Sequence, residues 1–95
     1  MVTIRKRDGD CCFFCAKPVA EVDESVEHLV DLTYGGPNHV SNKFLAHISC
    51  NAAAIGLSAP EKILRYHQAR IAKRLVAEVI AEAEAAGEPF TPPWD

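Results

Sequence analysis

The residues best suited to chemistry in this sequence are cysteine and histidine in two closely spaced pairs. Cys12 and Cys15 form a C-x₂-C pair, and His47 and Cys50 form an H-x₂-C pair. A two-residue spacer lets two ligand atoms converge on one ion, and Cys₃His is a common closed tetrahedral zinc set. The sequence therefore predicts a structural Zn²⁺ site, with no coordination position left open for catalysis.

These cysteines could also serve purposes other than zinc binding. A single C-x₂-C pair also suits a redox dithiol, so the zinc prediction depends on the second pair. Cys11 is a spare thiol that could compete through a C-x₃-C spacing, but the two-residue spacer fits one ion more tightly. Alternatively, His47 is a core histidine and the cysteines are buried thiols. The match of both half-sites favours zinc.

The composition is that of one small globular domain. The chain has 95 residues, 48% of them hydrophobic and 24% charged. No apolar run approaches the roughly 18 to 20 residues of a membrane helix. The stretch MVTIRKRDGDCC has no apolar region typical of a secretory signal. A reducing, cytoplasmic location is expected, where four cysteines are more typical of metal binding than of disulfides.

Charge is concentrated in two basic islands within an acidic chain. The formal net charge of −3 argues against a protein that coats nucleic acid by bulk charge alone. Residues 1–7 nevertheless hold three bases and no acid, and residues 61–74 hold five bases against one acid. Such islands form either a solvated surface or a contact with a phosphate-rich partner. The candidate nucleic-acid-binding residues are Arg5, Lys6, Arg7, Lys62, Arg65, Arg70, Lys73 and Arg74.

Two short strands and a helix are predicted to position the zinc pairs. Valine and leucine indicate a strand over Ser25–Val30, and alternation indicates a second over Asn42–His47. Between them, Thr33–Ser41 has the glycine, proline and asparagine content of an irregular loop. Three alanines favour a helix over Ser49–Ile55, which Gly56 would end.

A much longer helix is predicted in the C-terminal third. Ser58 and Glu61 match the Ser-x-x-Glu capping box, and apolar residues recur at helical spacing from Leu64 to about Ala86. At 1.5 Å per residue, such a helix spans roughly 40 Å. One face must be covered, either by the rest of the domain or by another subunit, as in a homodimer.

The order of residues between the zinc pairs resembles the HNH endonucleases, the ββα-metal nuclease family. An acid–histidine pair, Glu27 and His28, precedes a G-G-x-N loop; Asn42 stands in the middle and Asn51 follows the last cysteine. The resemblance covers about residues 12–56. It implies an α+β, ββα-metal domain held by zinc, with divalent-metal-dependent nicking or cleavage of DNA at low sequence specificity.

The resemblance also implies a role for each motif residue. Glu27 and Asn51 would bind one catalytic Mg²⁺ or Mn²⁺, and their oxygens suit either ion. His28 would be the general base, since histidine can accept a proton from water near neutral pH. Asn42 corresponds to an asparagine that braces the loop and helps to orient the base. Taken singly, the residues could instead be an exposed polar pair, a strand-start asparagine and a helix-capping asparagine.

Three positions depart from the family pattern. His47 replaces the usual cysteine, and Glu27 stands where aspartate is common. Alanines follow Asn51, where the family often has a basic residue. The two basic islands are the expected substitutes for that phosphate contact.

The predicted organisation is a single HNH domain over residues 1–95, with DNA as its partner. Its parts are a basic segment (1–10), a zinc-knuckle ββα core (11–57), a long helix (58–87) and a proline-rich tail (88–95). The alternative is a non-catalytic zinc-knuckle module that binds nucleic acid or protein, or an accessory subunit whose long helix docks on a larger DNA-processing complex. Small free-standing family members are frequent in phage genomes, which is compatible with a phage-encoded protein in the host cytoplasm.

Overall fold

The computed structural model describes residues 1–87, and the proline-rich tail at 88–95 lies outside the described residues. Strands β1 (Glu24–His28) and β2 (Lys43–His47) form a two-stranded antiparallel sheet. Within the described residues the α-helices are α1 (Val2–Asp8), α2 (Ile48–Ala53) and α3 (Ala59–Ala85). The α+β prediction is confirmed, with the two strands, the short helix and the long helix in the predicted order.

The strands begin and end near the predicted bounds but not at them. β1 ends at His28 rather than Val30 because the chain bends at Leu29 and Val30, although the Leu29 N–H still donates to the Asn42 carbonyl at 3.1 Å. β2 begins at Lys43 because Asn42 belongs to a short 3₁₀ turn. The resulting register sets Glu27 opposite Phe44 in the sheet.

The core lies where the C-x₂-C turn packs on the sheet. Its buried side chains are Ile4, Cys12, Phe13, Phe14, Val19, Leu45, Ala46 and Ala54. The Phe13 N–H donates to the Leu45 carbonyl at 2.8 Å, which fixes the turn against β2. Burial of a large apolar side chain contributes about 1.5–3 kcal/mol. The CFFC segment therefore supplies both metal-ligand candidates and the aromatic part of the core.

Helix α1 lies in the basic segment, where the sequence pattern predicts no helix. Only Ile4 of its seven residues is buried, so there is no apolar period to detect. The helix is held instead by Arg5, which donates to the Glu24 carboxylate at 2.8 Å and to the Val19 carbonyl at 3.0 Å. It ends at Gly9, whose φ of 83° favours glycine. Tertiary contacts rather than local pattern thus form this helix.

Helix α3 begins as the capping box predicts. The Ser58 hydroxyl accepts a hydrogen bond from the Glu61 N–H at 3.3 Å, and the helix continues for 27 residues to Ala85. Its apolar side chains Ile71, Leu75 and Val79 are each 49 to 51% exposed, so the rest of the described chain leaves this face largely uncovered. Within residues 1–87, no helix is long and apolar enough to cross a membrane.

Candidate functional site

Four ligand atoms converge where the C-x₂-C turn meets the junction of β2 and α2. The ligand atoms of Cys12, Cys15, His47 and Cys50 all lie within 4.8 Å of one another. His47 Nδ1 lies 3.3 Å from Cys15 Sγ and 3.8 Å from Cys50 Sγ. Tetrahedral zinc requires ligand atoms roughly 3.5–3.8 Å apart. The predicted Cys₃His set is therefore confirmed as a group that could hold a metal such as zinc.

Each half of the cluster is positioned by local backbone structure. His47 is the last residue of β2, and Cys50 lies in the first turn of α2. On the other side, the Cys12 N–H donates to the Lys17 carbonyl at 2.8 Å, closing the turn that carries Cys15. Cys11 instead forms a β-bridge with Pro18 and is not part of the cluster.

The second ring nitrogen of His47 supports its role as a ligand. Nε2 lies 3.0 Å from the Pro18 carbonyl oxygen, to which its N–H can donate. That bond selects the tautomer with a lone pair on Nδ1, the atom that faces the sulfurs. Metal-binding histidines are commonly oriented by such a bond. Together with the half-buried position of His47 and the sulfurs that face its Nδ1, this contact fits a metal ligand better than a core histidine.

The three thiols cannot ionise equally well without a cation. Burial raises the pKa of Cys12, but N–H groups of Cys15, His47 and Phe14 outweigh it, so the pKa is lowered overall. Burial and the neighbouring sulfurs of Cys12 and Cys15 raise the pKa of Cys50 to about 12. Burial likewise raises the pKa of Cys15. A divalent cation would relieve the repulsion among the thiolates, as zinc does in such sites.

Protein purified without chelator should contain about one zinc per chain, because the Cys₃His set is closed. Metal analysis by mass spectrometry, with protein concentration from amino-acid analysis, measures the ratio. Folded protein free of zinc and of any other transition metal would contradict the assignment.

Glu27, a predicted catalytic-metal ligand, lies in a buried ion pair. Its side chain is 4% exposed, and Oε1 lies 2.6 Å from Nζ of Lys62, which is 2% exposed. Lys62 also donates to the His28 carbonyl at 2.8 Å and lies 3.4 Å from Asp31 Oδ1. A buried carboxylate needs a counter-charge, and Lys62 supplies it for Glu27. Lys62 is therefore buried in the domain and is not the exposed phosphate contact that was predicted.

His28, the predicted general base, is half-buried at the end of β1. Its Nε2 is buried and has no hydrogen-bond partner within residues 1–87. A general base needs one nitrogen oriented by a partner and the other within reach of water. In this conformation Nε2 is closed to solvent, so proton transfer from water to this particular nitrogen would require the site to open.

Asn42 braces the loop that follows His28. Its side-chain oxygen accepts from the Val30 N–H at 2.9 Å, and its amide donates to the carbonyls of Val30 at 2.9 Å and Pro37 at 3.1 Å. Gly36 lies against the same part of the loop, where a Cβ would lie only 1.9 Å from the Val30 carbonyl oxygen. Steric exclusion of a side chain therefore explains why this position of the loop is a glycine.

Asn51 connects the Cys₃His cluster to β1. Its amide nitrogen donates to the Ser25 hydroxyl and, at 3.1 Å, to the Val26 carbonyl. The side-chain oxygen is not used in these bonds. Because Asn51 directly follows Cys50, a metal bound at the cluster would fix the start of α2 and hence this contact with the strand that carries Glu27.

Four of the predicted nucleic-acid-binding bases hold parts of the fold together. Arg5 pairs with Glu24, Arg7 donates to the Val40 and Lys43 carbonyls, Arg70 to those of Cys12 and Phe13, and Lys73 to that of Ala16. Every residue has a backbone carbonyl, so the sequence does not show which carbonyls accept hydrogen bonds from these side chains, and the contacts were not predicted. Lys6, Arg65 and Arg74 are exposed.

No family model, curated protein or solved structure matches this chain. What the fold and the site define is an α+β protein with a Cys₃His metal-binding cluster.

Proposed function

We propose that this chain is an HNH-like nuclease domain that hydrolyses DNA phosphodiester bonds and is held together by zinc. The observation that carries the proposal is that the two motif asparagines hold the segment with the acid–histidine pair, one on the strand and one just beyond its end. Asn51 donates to β1 itself, and Asn42 holds Val30, two residues beyond His28. The motif residues are thus joined in one unit beside the cysteine cluster.

In this proposal His28 accepts a proton from the attacking water. Glu27 and Asn51 would hold Mg²⁺ or Mn²⁺, which when bound neutralises phosphate charge and stabilises the leaving oxygen. The donor chemistry fits, because the carboxylate of Glu27 already binds a cation, the Lys62 ammonium. Lys62 therefore has to release or share Glu27 when a divalent ion binds.

The second candidate is a zinc module that binds nucleic acid without cutting it. The same ion pair favours it, since Lys62 neutralises Glu27, and the His28 ring nitrogen Nε2 is closed to solvent.

In either case we place the protein in a reducing cytosol, where the thiols of the cluster stay available to a metal.

The nuclease proposal predicts nicking or linearisation of supercoiled plasmid when Mg²⁺ or Mn²⁺ is added. His28→Ala should lower the cleavage rate on the order of 10²-fold, because the proton acceptor is lost. Agarose gels over a time course measure both rates. His67→Ala is the matched control, since His67 is an exposed histidine of α3 outside the motif, and it should cut like the parent.

Inert parent protein with both metals, or equal cutting by parent and His28→Ala, would contradict the nuclease proposal. Plasmid binding by an inert parent would then select the non-catalytic module. A thermal melt of His28→Ala shows whether any loss of cutting reflects the site or the fold.

A further inference from the structure

The two basic islands of the sequence meet in one cleft. A cavity of about 700 Å³ lies between α1, β2 and α3, and four bases and one acid are among its lining residues. These are Arg7, Arg70, Lys73, Arg74 and Asp8. The cleft is therefore strongly positive, although the chain as a whole carries a formal charge of −3. Such a cleft attracts anionic ligands.

A row of three aromatic rings lines the same cleft. The Phe13 ring lies between those of Phe44 and Tyr66, with centroids 4.8 Å away on either side. The Arg7 guanidinium lies 4.9 Å from the Phe44 centroid, and that of Arg70 lies 3.6 Å from the Tyr66 centroid. One arginine from each island is thus stacked at each end of the row, with its planar group held on a ring.

Hydrogen bonds fix these cations in place without removing their charge. Arg7 donates to the Lys43 carbonyl at 2.7 Å, Arg70 to the Phe13 carbonyl at 2.9 Å, and Lys73 to the Ala16 carbonyl at 2.9 Å. Carbonyl oxygens orient the donors but carry no net charge. Among the described residues that line the cleft, Asp8, paired with Arg7, is the only acid that offsets the positive sum. The ordering cost of binding an anion is low where the cations are already oriented.

We propose that this cleft is a binding site for the phosphodiester backbone of a nucleic-acid strand. Several fixed cations along one cleft match a ligand with repeated negative charges, and aromatic rings and guanidinium groups are the side chains on which exposed bases commonly stack. This proposal divides the eight bases of the two islands by position. Lys6 and Arg65 carry the same charge as the bases of the cleft but do not line it. The inference shares with the proposed function only the ligand, nucleic acid, and does not depend on Glu27 or His28.

Arg74→Glu tests the cleft with little risk to the fold, because Arg74 is exposed and makes no hydrogen bond or ion pair with the described residues. Its affinity for a fluorescein-labelled 20-mer oligonucleotide should fall about tenfold, and the slope of log affinity against log salt should decrease by about 1. Lys6→Glu and Arg65→Glu change the charge equally and should lower affinity less than twofold. Fluorescence anisotropy of full-length protein at several salt concentrations measures all four.

Equal losses in the three variants would show diffuse attraction and overturn the site, as would an unchanged Arg74→Glu. Displacement of the oligonucleotide by polyglutamate at matched charge concentration would also overturn it, because the site would then not distinguish phosphate. His67→Ala, outside both the motif and the cleft, should bind the oligonucleotide like the parent. Binding by a parent protein that does not cleave would leave this inference standing where the nuclease proposal fails.

Discussion

Replacing Cys50 with serine should remove the metal and unfold most of the domain at room temperature. A structural zinc site contributes about 10–16 kcal/mol of apparent binding free energy, which exceeds the roughly 5–15 kcal/mol total stability of a typical domain. The loss falls at the β2–α2 junction, where His47 and Cys50 join the C-x₂-C turn to the sheet. Native mass spectrometry for zinc and far-UV circular dichroism melts measure the two effects together.

Cys11→Ser is the matched control for this experiment. Cys11 neighbours Cys12 in the chain but lies outside the cluster, so the variant should keep its zinc and most of its stability. A Cys50→Ser protein that melts like the parent would show that the cluster does not hold the fold. Loss of zinc from Cys11→Ser would instead replace Cys12 by Cys11 as the ligand.

Replacing Lys62 with methionine should cost about 3–5 kcal/mol of unfolding free energy, the usual result of leaving a buried charge unpaired. The Glu27 carboxylate would lose the ammonium 2.6 Å away, and the His28 carbonyl would lose its donor. Arg65→Met, on the same helix but exposed, should change stability by less than about 0.5 kcal/mol. Urea denaturation of the zinc-loaded proteins gives these values.

The double variant Lys62→Met with Glu27→Gln should recover much of the loss, since no unpaired charge remains buried. Additive losses would show that the pair does not interact in solution. The single variant also tests the proposed catalytic ion. Mg²⁺ should raise the melting temperature of Lys62→Met more than that of the parent, because Glu27 is then free to bind it. No such difference would argue against Glu27 as a ligand.

Features set by neighbouring residues could be predicted from the sequence. The spacings of Cys12 with Cys15 and of His47 with Cys50 bring two ligand atoms together in each half-site, whatever the rest of the chain does. The Ser58–Glu61 cap and the turn residues of the glycine loop likewise act over three or four positions. The metal-ligand candidates, the order of the elements from β1 to α3, and the start of the long helix were therefore predicted correctly, whereas α1 was not.

Only the tertiary structure could decide which charges are buried and which meet. Lys62 lies in the same basic island as the exposed Arg65, yet its side chain is buried, with its ammonium paired to Glu27 and donating to the His28 carbonyl. Arg7 and Arg74 are remote in the chain but line one cleft, and α1 forms through contacts of Arg5. The charge of a side chain does not by itself specify which residue it pairs with. The pairing is decided by the free-energy cost of burying a charge without a counter-charge, and that cost arises only when the helices and strands pack together.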